Sequence, residues 1–161
     1  MPIDRGSEAA LGIKRSEYWP KVEEAFKKSN PICAACGGPA TELNVHHVFP
    51  FHMVILAGRP DLELDPRNLI TLCVDPEFDH HLYVGHLGNF VSFNAAVVND
   101  CKTYGKIAKA SLGANASWLA ERVARPSGHF ADDAAKAAFL AELNTVFGAT
   151  PKVDLKGNPL P

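Results

Sequence analysis

The sequence predicts an α+β chain: a central β-β-α unit seated on a cysteine knuckle, with a helix on either side of it. Three observations carry that expectation. Cys33-Ala34-Ala35-Cys36 runs into Gly37-Gly38, residues that supply tight turns. Two short apolar runs, 43–48 and 68–73, have the length and composition of strands, and the pattern turns helical from about His80. Segments outside this middle place their apolar residues at helical spacing.

Residues 16–29 form the first predicted helix. Ser16 is a candidate N-cap, Pro20 falls in the first turn, where its missing N–H is tolerated, and Trp19, Val22 and Phe26 share one face. Asn30-Pro31 stops it. Pro50 ends the first strand, and residues 50–67 read as a loop with a short apolar stretch, Met53-Val54-Ile55-Leu56. Gly85 and Gly88 limit the length of the central helix. Asn94 can cap a further helix over about 95–111, with Cys101, Tyr104, Ile107 and Ala108 on its apolar side. Residues 126–130 read as a linker, 132–147 as an Ala-rich amphipathic helix carrying Phe139, Leu140, Leu143 and Phe147, and 148–161 as a loose tail. The expected division is therefore 1–125, holding the central unit with its N-terminal and basic helices, and 126–161, holding the C-terminal helix and tail.

With 161 residues, 47% of them hydrophobic, the chain can bury a core and is not disordered by composition. No apolar run approaches a membrane span, and residues 1–7 lack the charged and apolar regions of a signal peptide, so a cytoplasmic location without a membrane partner is expected. The net charge of −2 is not the footprint of a strongly basic nucleic-acid binder. One local exception exists in residues 101–125, where Lys102, Lys106, Lys109, Arg122 and Arg125 stand against Glu121 alone.

Three of the four cysteines lie between positions 33 and 73, and without a secretion signal metal-bound thiolates are expected rather than disulfides. Zinc favours four tetrahedral ligands from Cys and His. Cys33 and Cys36 make half of such a structural site, and Cys73, at the end of the second strand, is the candidate third ligand. His80 is the expected fourth, with Cys101 as its competitor. A second polar set comprises His46, His47, Asn68, His81 and His86. Adjacent histidines on a strand point to opposite faces, so one can ligate an ion while the other faces a substrate. His86 follows His81 by five positions, which turns it about 140° away on a regular α-helix. A π-bulge near Gly85 would bring the two together. His52 reads as structural and His129 as a loop histidine.

Taken in order, Cys33–Cys36, His46–His47, Asn68, Cys73 and His81 resemble the HNH endonuclease family, the ββα-metal nucleases. The resemblance covers about residues 15–112. It includes the Tyr18-Trp19-Pro20 helix before the knuckle and the segment from Gly85 to Phe90 after it, which look like a bacterial and phage subgroup. It departs at the second cysteine pair. Where the family commonly has CxxC followed by His, this chain has Cys73, a spacer of residues 74–79, and His80-His81, so that His80 stands in place of a zinc thiolate.

The resemblance implies a metal-dependent DNA endonuclease that hydrolyses phosphodiesters; a single compact site would nick one strand at a time, and with no recognition helix or DNA-reading domain evident, little sequence specificity is expected. It implies that His46 binds a catalytic divalent ion (Mg2+, Mn2+ or another transition ion) and that His47 is the general base on the attacking water, a task suited to a group titrating near neutrality. Asn68 would orient His47, and His81 with His86 would complete the ion's ligands. Lys102, Lys106 and Lys109 recur at i, i+4 and i+7 and read either as a phosphate track or as a solvated helix face. The alternative function is a zinc-stabilised nucleic-acid- or protein-binding module without catalysis, which the net charge favours. Monomer and dimer both remain open.

Overall fold

The computed structural model describes residues 12–37, 42–74, 79–104 and 125–161. In chain order the elements are helix α1 (Trp19–Ser29), strand β1 (Leu43–His47), helix α2 (Phe51–Leu56), 3-10 turns at Pro60–Glu63 and Pro66–Asn68, strand β2 (Leu69–Cys73), a π-helical turn (His81–Gly85), strand β3 (Ser92–Phe93), helix α3 (Val97–Tyr104), strand β4 (Arg125–Pro126) and helix α4 (Asp133–Phe147). Helices and two small antiparallel sheets mix, which makes the architecture α+β, as the sequence predicts. Among the described residues no helix is long and apolar enough to cross a membrane.

The chain forms two compact units that alternate along the sequence. One gathers Met1–Glu24, Phe49–Asn68 and Ser127–Pro161; the other gathers Ala25–Val48 and Leu69–Pro126. The excursion between β1 and β2 thus belongs to the first unit, and its strands to the second.

In the second unit β1 and β2 pair antiparallel, with His46 opposite Ile70 and His47 opposite Leu69. All of β2 is buried. It therefore reads as a continuous apolar run, Leu-Ile-Thr-Leu-Cys, rather than as an alternation. The knuckle is tied to this sheet by the Ala34 N–H, which donates to the Thr71 carbonyl at 2.9 Å. Gly37 adopts φ +68 and closes the knuckle by donating to the Cys33 carbonyl at 2.8 Å. Asn94 is a buried post: its amide nitrogen donates to the Val84 carbonyl at 3.0 Å and to the Asp100 carboxylate at 2.7 Å, and its oxygen accepts from the Ala96 N–H. The expected Asn94 cap is thus present, and α3 is described from Val97 to Tyr104. Residues 125–126, expected at the edge of a linker, instead pair with β3.

In the first unit the helix face of Phe139, Leu143 and Phe147 is buried, with Phe49 edge-on to both phenylalanines at 5.8 Å between ring centroids. Asp132 caps α4 by accepting from the Ala135 N–H at 2.8 Å. At the other end, two arginines satisfy carbonyls that the last helical turn leaves without intrahelical partners. Arg67 donates to the Phe147 carbonyl at 2.7 Å, and Arg59 donates to the Gly148 carbonyl at 2.8 Å. Arg59 is itself buried and is gripped in two places by the buried Asp61 carboxylate, at 3.0 and 2.9 Å.

Three expectations change here. Residues 50–67 are not a loop: Pro50 leads into α2, where its missing N–H costs little, and Phe51, His52, Met53 and Val54 are buried. An element of six residues is too short for helical periodicity to show. The tail does not run loose. Val153 bridges to Pro159, Asp154 accepts from the Lys156 and Asn158 N–H groups, and Gly157, at φ +83, lies so close to Val22 that a Cβ there would sit 2.6 Å from it. Helix α1 begins at Trp19 rather than just after Ser16, whose hydroxyl accepts from the Tyr18 N–H at 3.1 Å. Lys106, Lys109, Ile107, Ala108, Glu121, Arg122 and Gly38 lie outside the described residues.

Replacing Arg59 by alanine strands the buried Asp61 carboxylate and removes a donor from the end of α4. Loss of one partner of a buried ion pair costs about 3–5 kcal/mol. The unfolding free energy of Arg59→Ala, measured by denaturant melts, is expected to fall by that amount, and a change under about 1 kcal/mol would show that the pair contributes little.

Candidate metal centres

The second unit assembles two groups of metal-ligating side chains. Cys33, Cys36, Cys73 and His80 bring one donor atom each to within 4.8 Å of one another. His46, His81 and His86 do the same with ring nitrogens. Each of these residues is an expected ligand, and His80, not Cys101, completes the first group.

The cysteine group draws on three segments. The knuckle supplies Cys33 and Cys36, the end of β2 supplies Cys73, and the residue before the π-helical turn supplies His80. His80 is fully buried and turns Nδ1 toward the sulfurs, 3.2 Å from Cys73 Sγ and 3.8 Å from Cys33 Sγ. A tetrahedral zinc with ordinary Zn–S and Zn–N bonds separates such atoms by about 3.6 Å, so the two distances straddle the ideal edge. No disulfide joins any of the four cysteines. The Cys33 thiol is held well below the ordinary thiol range, first by its hydrogen bond with Cys73 and then by that with His80, while burial opposes the shift. Cys101 is the reverse case: burial first, then the charge of Cys33, pushes its thiol up to about 12, and it remains a protonated core residue. The set of three cysteines and one histidine is close enough to hold a metal ion and has the donor chemistry of zinc.

The histidine group depends on an irregular turn. A spacing of five is closed by a π-turn, in which the His86 N–H donates to the His81 carbonyl at 3.2 Å and shares itself with the Leu82 carbonyl. Asp79 starts this turn, its carboxylate accepting from the Leu82 N–H at 3.2 Å. The result brings His81 Nε2 and His86 Nε2 to 3.3 Å. Two nitrogens on one tetrahedral ion, each about 2.0–2.1 Å from it, stand about 3.3–3.4 Å apart. His86 Nδ1 donates to the Ser92 carbonyl at 2.8 Å, which fixes the tautomer and leaves Nε2 with a lone pair. His81 Nδ1 lies 3.4 Å from the Asn44 side-chain amide, a group that offers a donor at one end and an acceptor at the other.

The third nitrogen is the strongest test of fit. His46 Nε2 is buried and has no hydrogen-bond partner. A buried imidazole nitrogen left unpaired is costly, and a metal ion removes that cost. Burial first, and then the like charges of His86, His81 and His47, push His46 well below its ordinary 6.5, so it presents a lone pair at neutral pH. Its ring centroid stands 5.1 Å from that of His81 and 4.7 Å from that of His86. Gly85 makes room for it: a Cβ at this position would lie 3.2 Å from both Cε1 and Nε2 of His46.

The remaining expected residues are placed as follows. His47 is buried at the last position of β1. Asn68 is fully buried, and its amide is spent on backbone: its oxygen accepts from the Phe49 N–H at 2.8 Å, and its nitrogen donates to the Phe49 and Leu62 carbonyls at 3.0 and 2.9 Å. Both amide protons are therefore committed to carbonyls of the chain that follows β1, not to a ring. Lys102 is exposed on α3. His52 is buried on α2 beside Phe51. Asn44 was legible in principle, since positions two apart on a strand share a face and it precedes His46 by two. The Ser92 carbonyl had no sequence signal, because any residue carries one.

No family model, curated protein or solved structure matches this chain.

Gly85→Ala presses a methyl group against the His46 ring. It should weaken metal binding by the histidine group about tenfold or more while leaving zinc at the cysteine group, as read by calorimetry and metal content. Equal affinity in the variant would mean that His46 is not held against position 85. A second expectation concerns acid. His46 refuses a proton that the unfolded chain accepts below about 6.5, and Cys33 is likewise depressed, so both lose stability as pH falls. Protons also compete for every ligand. Between about pH 7.5 and about 5.5 the thermal midpoint of the metal-loaded protein should drop and metal should be released. A midpoint that rises on acidification would contradict the neutral buried state of His46.

Proposed function

We propose that this chain is a metal-dependent DNA endonuclease of the HNH type, in which β1, β2 and the π-helical turn form a ββα-metal core on a structural zinc knuckle. The observation that carries the reading is the convergence of His46, His81 and His86 beside a cysteine group that shares their scaffold. A module that needed zinc for shape alone has no use for a second cluster of buried and half-buried imidazoles, one of whose buried nitrogens lacks any protein partner.

In this reading His46, His81 and His86 hold a divalent ion such as Mg2+, Mn2+ or another transition ion. When bound, the ion supplies positive charge to the oxygens of a scissile phosphate. His47 is the general base. It follows His46 directly and lies close enough for its charge to depress the His46 titration. A neutral His47 takes a proton from the attacking water as the water's oxygen bonds to phosphorus and the P–O bond to the leaving strand end breaks, the released oxygen taking its proton from solvent water. Asn68 supports this geometry through the backbone at Phe49, two residues along the chain from His47, rather than through the ring. One compact site of this kind cuts one strand at a time. Lys102 supplies one exposed charge for the DNA backbone.

The experiment is cleavage of supercoiled plasmid in Mg2+, Mn2+, Ni2+ or Co2+. His47→Ala should reduce nicking by about 10²-fold or more while zinc content and folding are unchanged. Cleavage at the wild-type rate by this variant removes His47 from the role of base. Absence of cleavage by the wild type in every metal would make the chain a zinc-stabilised binding module instead.

A further inference from the structure

The two metal-binding groups are not mechanically separate. His80 and His81 are consecutive, yet His80 turns Nδ1 toward the sulfurs of Cys33 and Cys73, and His81 turns Nε2 toward His86. Successive residues of a helical turn project about 100° apart, so one peptide unit divides its two side chains between two ions. The strands repeat the arrangement. β2 ends in Cys73, and β1, hydrogen-bonded to it in register, carries His46. The knuckle that presents Cys33 and Cys36 is tied to the same sheet through the Ala34–Thr71 bond, and Thr71 is the cross-strand partner of Val45, the residue before His46. Whatever orders Cys73 and His80 also orders the backbone that aims His46 and His81.

We infer that the two sites are thermodynamically coupled: zinc on Cys33, Cys36, Cys73 and His80 raises the affinity of His46, His81 and His86 for their ion, so that the cysteine group regulates the histidine group. The inference rests on reading both groups as metal sites and not on DNA cleavage. Its physical basis is conformational entropy. Each ion must immobilise the β1–β2 pair and the His80–His81 peptide unit, and whichever binds first bears that ordering cost for both. Coupling between sites is reciprocal, so the second ion must tighten zinc by the same factor.

The reciprocal arm gives a test that does not require a folded zinc-free protein. The full chain is loaded with zinc, and its zinc affinity is measured by competition with a chromophoric chelator, with and without saturating Ni2+. Calorimetry records nickel binding, and the absence of nickel–thiolate absorption confirms that nickel has not entered the cysteine group. Nickel is expected to tighten zinc about tenfold in the wild type, within the usual range of coupling factors. In His86→Ala, which removes a half-buried ligand of the histidine group only, nickel should leave the zinc affinity unchanged. His86→Gln serves if the alanine variant folds poorly. Zinc affinity indifferent to nickel in a wild type that binds nickel overturns the coupling and leaves both metal sites standing. No nickel binding at all overturns the histidine site itself, and the proposed function with it.

Discussion

Three buried or half-buried thiols and a fully buried imidazole meet at one point, although they come from a knuckle, a strand end and the start of a helical turn. Such donors are drawn together by a soft cation far more strongly than by packing, because a thiolate left in an apolar interior is costly. Several described elements of the second unit are tied to that point. The knuckle hangs from β2 through one backbone bond, β1 runs in register beside it, and His80 sets where the π-helical turn begins. In small metal domains the binding energy of an ion at such a group is folding energy.

The π-helical turn is the local feature that converts this frame into a second site. An ordinary α-helix would leave His81 and His86 on different faces. The wider turn costs some hydrogen-bond quality, visible in the His86 N–H shared between two carbonyls, and gains a pair of nitrogens at a metal-like separation. Two neighbours stabilise the distortion. Asn94 holds its far end, its side-chain amide donating to the Val84 carbonyl and its backbone N–H to the Gly85 carbonyl at 3.1 Å. Gly85 also lacks the side chain that would strike His46. Irregular helices of this kind concentrate at functional sites, and here the irregularity has an identifiable chemical return.

The first unit solves a different problem with the same economy. Its last helix ends in a glycine at φ +80, leaving carbonyls that need donors. Arg59 and Arg67 supply them, and Asp61 and Asp65 hold the two guanidinium groups flat and in place, each through paired hydrogen bonds. Asn68 ends the same stretch of chain by bonding both backbone groups of Phe49, which closes the excursion between β1 and β2 at its neck. Both of its amide protons go to main-chain carbonyls, whereas the resemblance implied a bond to the His47 ring.

Much of this was legible in the residues. Donor types and their spacing pointed to the cysteine group, while Cys101 stayed a competitor to His80 until the fold placed His80 Nδ1 beside the sulfurs. Apolar composition and patterning pointed to both main strands and to α4, whose Asp132 cap only the structure shows. The conditional reading of His86 was also correct in form: sequence stated that a π-turn was required, and only the folded backbone could decide that one is present, because helical pitch depends on packing against Asn94 and the sheet. The excursion at 50–67 shows the opposite limit. Its helix is too short to have a period, and its arginines carry no sign of which helix end they will reach. Local chemistry is written residue by residue, and tertiary structure alone decides which distant carbonyl, ring or thiol each residue finally meets.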